Sequence, residues 1–157
     1  MDPRHAVELQ HEVHAPREAV WPLVSTADGL ARWLDDAQLE PSVGGSVRLA
    51  LRDAVAIGTV LAVDPPQHVS FSFDWDGDPI GTPTVVAFDA IEHGEGTHLT
   101  MRHVGLPAGR QHELHAALWH YWFPRLVAAA SAASAPGRDT RASGGRRRDG
   151  AAPPAVR

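Results

Sequence analysis

His68-Val69-Ser70-Phe71-Ser72-Phe73-Asp74-Trp75 alternates without a fault: Val69, Phe71, Phe73 and Trp75 fall on one face, His68, Ser70, Ser72 and Asp74 on the other. Successive side chains of a strand point to opposite faces, so this stretch predicts a half-buried β-strand with an aromatic inner face. Pro65-Pro66 before it and Asp76-Gly77-Asp78-Pro79 after it read as turns. The same period of two recurs on both sides. Leu39–Leu51 reads as one strand broken near Gly44-Gly45, where a bulge or turn is expected, and Ala54–Val63 as the next. Thr84–Ile91 and Thr97–Val104 form a hairpin around His93-Gly94-Glu95-Gly96. Further back, Val7, Leu9, His11 and Val13 share a face of an amino-terminal strand.

Two regions break this period. Ala15-Pro16-Arg17-Glu18 opens a helix, with proline in the first turn and an acid at the positive helix end. Pro22 lies too deep for that helix to continue undisturbed, so two short helices are expected, the second carrying Leu30, Trp33 and Leu34. At the other end, Leu114, Leu118, Trp122 and Leu126 recur at helical spacing and predict a long helix from Arg110 to Ala132, provided Pro124 does not break it. The order is strand, two short helices, five strands, long helix. Short turns without crossover helices imply an antiparallel sheet, hence an α+β fold with helices on one face of a curved six-stranded sheet. A long helix laid over such a sheet leaves a gap, which is the natural place for a ligand.

Composition narrows the function classes. The chain has 157 residues and no cysteine, which excludes a disulfide framework, thiolate chemistry and cysteine-bound metals. No apolar run reaches membrane-spanning length, and no signal-peptide core is read near Met1, so a cytoplasmic protein is expected. The net charge of −5 is uneven: six arginines and two aspartates from Ala135 onward leave −9 on the rest. Residues 135–157, rich in Ala, Gly, Pro and Arg, are expected to be a disordered tail on a single domain of residues 1–134. The acidic domain argues against nucleic acid as a partner.

Several segments, in order, resemble a known family. His11-Glu12-Val13-His14-Ala15-Pro16-Arg17-Glu18-Ala19-Val20-Trp21 is similar to the strand-to-helix opening of the SRPBCC (START-like, helix-grip) superfamily. Ala31-Arg32-Trp33-Leu34 and Val43-Gly44-Gly45-Ser46-Val47-Arg48-Leu49 resemble the branch named after activators of heat shock protein 90 ATPase. Asp64-Pro65-Pro66 and the run from Thr97 to Leu106 follow at matching spacing. The family usually has Gly-Trp in the last helix; here Leu118 precedes Trp119. The resemblance covers about residues 6–131 and implies a helix-grip fold with a cavity under the carboxy-terminal helix. The superfamily holds lipid carriers, polyketide cyclases and co-chaperone domains, so the fold alone does not name the function.

Candidate chemistry rests on histidine and aromatic residues. His11 shares a face with Val7, Leu9 and Val13, and His103 one with Leu99 and Met101. Two imidazoles among apolar walls can orient a ligand carbonyl or work as acid and base. Trp33, Phe71, Phe73, Trp75, Trp119 and Trp122, with Met101 and Leu118, are the expected lining of an apolar cavity. His112 and His115 lie three apart, without the spacing of a metal-binding helix pair, and read as a solvated helix face. His93, His98 and His103 are five apart and alternate faces, so the three cannot converge from one strand. Asp74, Asp76 and Asp78 resemble the start of a calcium loop but lack its closing acid, and read as a solvated loop over the cavity mouth. No metal or cofactor is expected. The leading expectation is binding of a small hydrophobic or aromatic molecule by a monomer or homodimer. The alternatives are a polyketide cyclase or dehydratase-like enzyme using His11 and His103, and a co-chaperone-like interaction module.

Overall fold

The computed structural model describes residues 3–133; the expected tail, 135–157, lies outside the described residues. After a short 3-10 turn the chain runs β1 (Ala6–Val13), α1 (Arg17–Val20), α2 (Pro22–Ser25), α3 (Ala27–Leu30), β2 (Asp36–Leu39), β3 (Ser46–Leu51), β4 (Ala54–Asp64), β5 (His68–Trp75), β6 (Thr84–His93), β7 (Gly96–Val104) and α4 (Arg110–Ala133). The strands form one antiparallel sheet in the order β1-β7-β6-β5-β4-β3-β2. Together with the long α4 this is the α+β helix-grip architecture expected from the sequence. The sheet has seven strands rather than six. The difference lies in Leu39–Leu51, where residues 40–45 turn the chain back on itself and β2 pairs with β3 as a hairpin. Glu40 holds that turn: its Oε1 accepts the Ser46 backbone N–H and hydroxyl, each at 3.0 Å. These bonds favour the ionised form and hold the Glu40 carboxyl below its ordinary range.

The opening helices follow from Pro22. It has no N–H to donate to α1, so α1 ends at Val20 and Pro22 starts α2 at a position where a missing donor costs nothing. Thr26 then caps α3, its hydroxyl accepting the Gly29 N–H at 2.9 Å. Gly29 is needed for the close turn between the helices, because a Cβ there would sit 1.8 Å from the Pro22 carbonyl oxygen. The region folds into three one-turn helices rather than two.

The inner face of β5 reaches the core as its alternation requires: Val69, Phe71 and Phe73 are buried, and Phe71 meets Phe88 of β6 at 6.3 Å between ring centres. Trp33 stands edge-on to Phe88 at 5.9 Å, and its indole N–H donates to the Leu23 carbonyl at 2.8 Å. Helix α4 closes this layer and runs through Pro124 without a break. Trp119, Trp122 and Phe123 before the proline and Leu126 and Ala130 after it are all buried, so packing on both sides holds the two halves in line. The apolar stripe is rotated from the expected one. Its amino-terminal half is carried by His115 and Trp119, while Leu114 remains 46 % exposed and Leu118 is half-buried.

Candidate functional site

That rotation opens a cleft of about 600 Å³ at the amino-terminal half of α4. One wall is the β3–β4 hairpin, with Leu51, Asp53, Ala54 and Val55. The second is the end of β5 and its following loop, with Trp75, Asp76 and Asp78; Gln111, Leu114 and Leu118 of α4 form the third. Local bonds set each wall. Arg52 turns the hairpin at φ 63°, its backbone N–H held by Asp35 Oδ2 at 2.7 Å. The Arg52 guanidinium lies 5.1 Å from the Tyr121 ring centre, which ties the hairpin tip to α4. Asp74 Oδ1 accepts the backbone N–H groups of Trp75 at 2.8 Å and Ile80 at 2.7 Å, folding the loop back over its own strand. The cleft therefore has apolar walls and a rim of carboxylates.

Behind Trp75 lie two fully buried imidazoles, His103 and His115, 5.2 Å apart between ring centres. Their protonation follows from their partners. The Trp119 indole N–H donates to His103 Nδ1 at 3.0 Å, so the His103 proton is on Nε2 and is donated to the Thr84 hydroxyl at 2.9 Å. Thr84 in turn donates to the Phe73 carbonyl at 2.5 Å. The Trp75 indole N–H donates to His115 Nε2 at 3.0 Å, and His115 Nδ1–H donates to the Gln111 carbonyl at 2.7 Å. Each ring thus accepts from one indole and donates onward, which only a neutral imidazole can do. Burial, reinforced by the neighbouring His115, pushes the His103 value down to about 3 from an ordinary 6.5. Burial also lowers His115, against a smaller opposing pull from its bond to Gln111. With both nitrogens of each ring engaged, neither imidazole has a lone pair left for a substrate.

The expected site residues divide into three groups. Trp75 and Leu118 border the cleft. Trp33, Phe71, Phe73, Met101, His103, Trp119 and Trp122 are 2 % exposed or less and fill the space between sheet and α4. His11 stands apart, exposed in a groove of about 280 Å³ between β1 and α4, beside His120, Phe123 and Val127. His11 and His103 are not brought together: β1 pairs Val7 with His103 and His11 with Leu99, four residues further along the edge strand.

One histidine reading is corrected. His112 and His115 do not form a solvated face: His112 Nε2 donates to the Ala6 carbonyl at 2.9 Å and His115 turns inward. His93 and His98 converge, because the turn at Gly94 places them on paired strands rather than one strand. Both Nδ1 atoms bond the Glu12 carboxylate, His93 at 2.7 Å, while His98 Nε2 bonds Gln10 Oε1 at 2.7 Å. The bonds from His98 and His93 hold the Glu12 carboxyl below its ordinary range. Among the described residues, no group of three His, Cys, Asp or Glu side chains is arranged to hold a metal ion.

Gln111, Asp53 and the apolar hairpin residues carry no sequence signal that marks them as a cleft lining. Leu114 sat in the expected core stripe, and nothing local distinguishes a core leucine from one on a cleft. Asp76 and Asp78 of the acidic loop line this cleft.

An open antiparallel sheet around a long carboxy-terminal helix, with a cleft at their junction, defines a helix-grip protein. Residues 14–131 match the family described as Activator of Hsp90 ATPase homolog 1-like protein, and the chain belongs to that family. Its structure is similar to protein MLL2253 from Mesorhizobium loti, with 22% identity, a TM-score of 0.69, and coverage of 82% of this chain and 95% of that one. It is similar to protein BH1534 from Bacillus halodurans at 27% identity and TM-score 0.65, covering 80% and 96%. It also resembles DynU16, a putative protein in the dynemicin biosynthetic locus, at 26% identity and TM-score 0.67; the match covers 79% of this chain and 46% of that one. No curated protein matches the chain. Among the described residues, no helix is long and apolar enough to cross a membrane.

Proposed function

We propose that this chain binds a small molecule with an apolar body in the cleft between the β3–β4 hairpin, the end of β5 and α4. The observation that carries the reading is the apolar part of the cleft lining: Leu114 is 46 % exposed and Leu118 half-buried, and both border with Trp75 a cleft large enough for a bicyclic aromatic. Ligand binding, rather than acid–base catalysis, is favoured because the buried imidazoles have no free nitrogen. Trp75 couples the two regions, lining the cleft while its indole N–H anchors to His115.

The test uses 1-naphthalenemethanol as a neutral probe, followed by two-dimensional nitrogen–proton NMR. The Trp75 indole N–H signal should move on titration, with dissociation in the range of tens of micromolar to millimolar. Leu114→Asp should abolish the shift and change stability by no more than about 0.5 kcal/mol, because the side chain is largely at the surface. A Trp75 signal that stays fixed up to the solubility limit of the probe would overturn the reading.

A further inference from the structure

We infer that the cleft selects a cationic ligand: an arylalkylamine, protonated at neutral pH, with its ring on Leu114 and Leu118 and its ammonium among Trp75, Asp53 and Asp78. This rests on the cleft being the binding site and specifies what it takes.

Three observations point to a cation. First, the cleft lining holds three carboxylates, Asp53, Asp76 and Asp78, and no arginine. Asp76 is partnered by Arg48 at 3.4 Å, whereas Asp53 and Asp78 form no ion pair among the described residues. Second, the Trp75 N–H is already donated to His115, so the indole has no hydrogen to offer an anion or carbonyl in the cleft. What it presents is its π-system, which attracts cations and not anions. The Gln111 amide is then the only side-chain N–H donor in the lining. Third, the residues before Ala135 carry a net charge of −9, a field that concentrates cations at the surface. An anion entering the cleft would meet two unpaired carboxylates with one amide to compensate. An ammonium meets two carboxylates and an aromatic ring.

The experiment compares three probes of one shape: 1-naphthylmethylammonium, neutral 1-naphthalenemethanol and 1-naphthoate, each titrated into the full chain at 20 mM salt by calorimetry and by the Trp75 indole signal. The ammonium probe should bind about tenfold more tightly than the neutral one, and the naphthoate at least as much more weakly. That advantage should shrink several-fold at 500 mM salt. In the Asp53→Asn, Asp78→Asn double variant, the ammonium probe should fall most of the way to the neutral probe's affinity, while the neutral probe is unchanged. Equal binding of the ammonium and neutral probes would overturn the charge selectivity and leave the cleft reading intact. Failure of all three to bind would overturn the cleft reading and this inference with it. An unchanged ammonium preference in the double variant would show that the carboxylates are not its source.

Discussion

His103 makes the fold sensitive to acid in a way that can be measured. Its imidazole is fully buried, accepts from Trp119, donates to Thr84, and has its value pushed down to about 3. In the unfolded chain the same group titrates near 6.5. Below that pH the unfolded state gains a proton that the folded state refuses, so stability is fully present above about 6.5 and is lost as the pH falls toward 3. Each pH unit in this window costs about 1.4 kcal/mol, so going from pH 7.5 to 4.5 removes about 3 kcal/mol through His103 alone. His115, lowered for the same reason, adds in the same direction. Against a typical domain stability of roughly 5–15 kcal/mol this is a large fraction. The assay is urea denaturation at several pH values for the wild type and His103→Asn. At pH 7.5 the variant should be about 2–4 kcal/mol less stable, having lost buried bonds and volume. By pH 4.5 that gap should close by about 3 kcal/mol, because the variant has no proton to refuse. A gap that stays constant across this range would refute the reasoning. Direct imidazole NMR of the wild type gives an independent check: His103 should remain the neutral Nε2–H tautomer at pH 4.5.

Further outcomes follow from the same bonds. Thr84→Val keeps the shape but leaves the His103 Nε2–H and the Phe73 carbonyl unpaired, and should cost about 1–3 kcal/mol in urea denaturation; a loss below 0.5 would remove the hydroxyl from the account. Trp119→Phe takes the indole donor from His103 Nδ1, and in the variant that nitrogen should protonate at a higher pH by imidazole NMR than in the wild type. Gly29→Ala forces a Cβ against the Pro22 carbonyl, and calorimetry should show a melting temperature lower by on the order of 10 °C, corresponding to about 3 kcal/mol or more.

Much of the fold was legible because its signals are local. The alternation of His68–Trp75 depends only on the geometry of a strand, and Val69, Phe71 and Phe73 are buried as it requires. Pro22 acts through its missing N–H wherever it stands, so the broken helix was readable. The break near Gly44-Gly45 is legible, but a bulge within one strand and a turn between two share the same alternation and the same glycines. Only pairing separates them, and pairing is not local.

The candidate site depended on relations between distant segments. Parity put His11 and His103 on inner faces, but it does not say which strand is an edge. β1 is one, so its His11 faces an outer groove while His103, on the next strand, is sealed in. The five-residue spacing of His93 and His98 forbids convergence along one strand and permits it across a hairpin, where Glu12 of a third strand gathers both. Helical spacing placed Leu114 on the apolar stripe, and the angle at which α4 settles on the sheet turned it out to the cleft. By itself, then, the sequence determined the strand and helix periods, the breaks at Pro22 and near Gly44, the acidic balance and the absence of thiol chemistry, because each is a property of neighbouring residues. The tertiary structure alone decided which histidines are neutral and spent, and which leucines and aspartates share a cleft. Those outcomes depend on strand order, helix rotation and hydrogen bonds between residues far apart in the chain, such as Trp75 and His115.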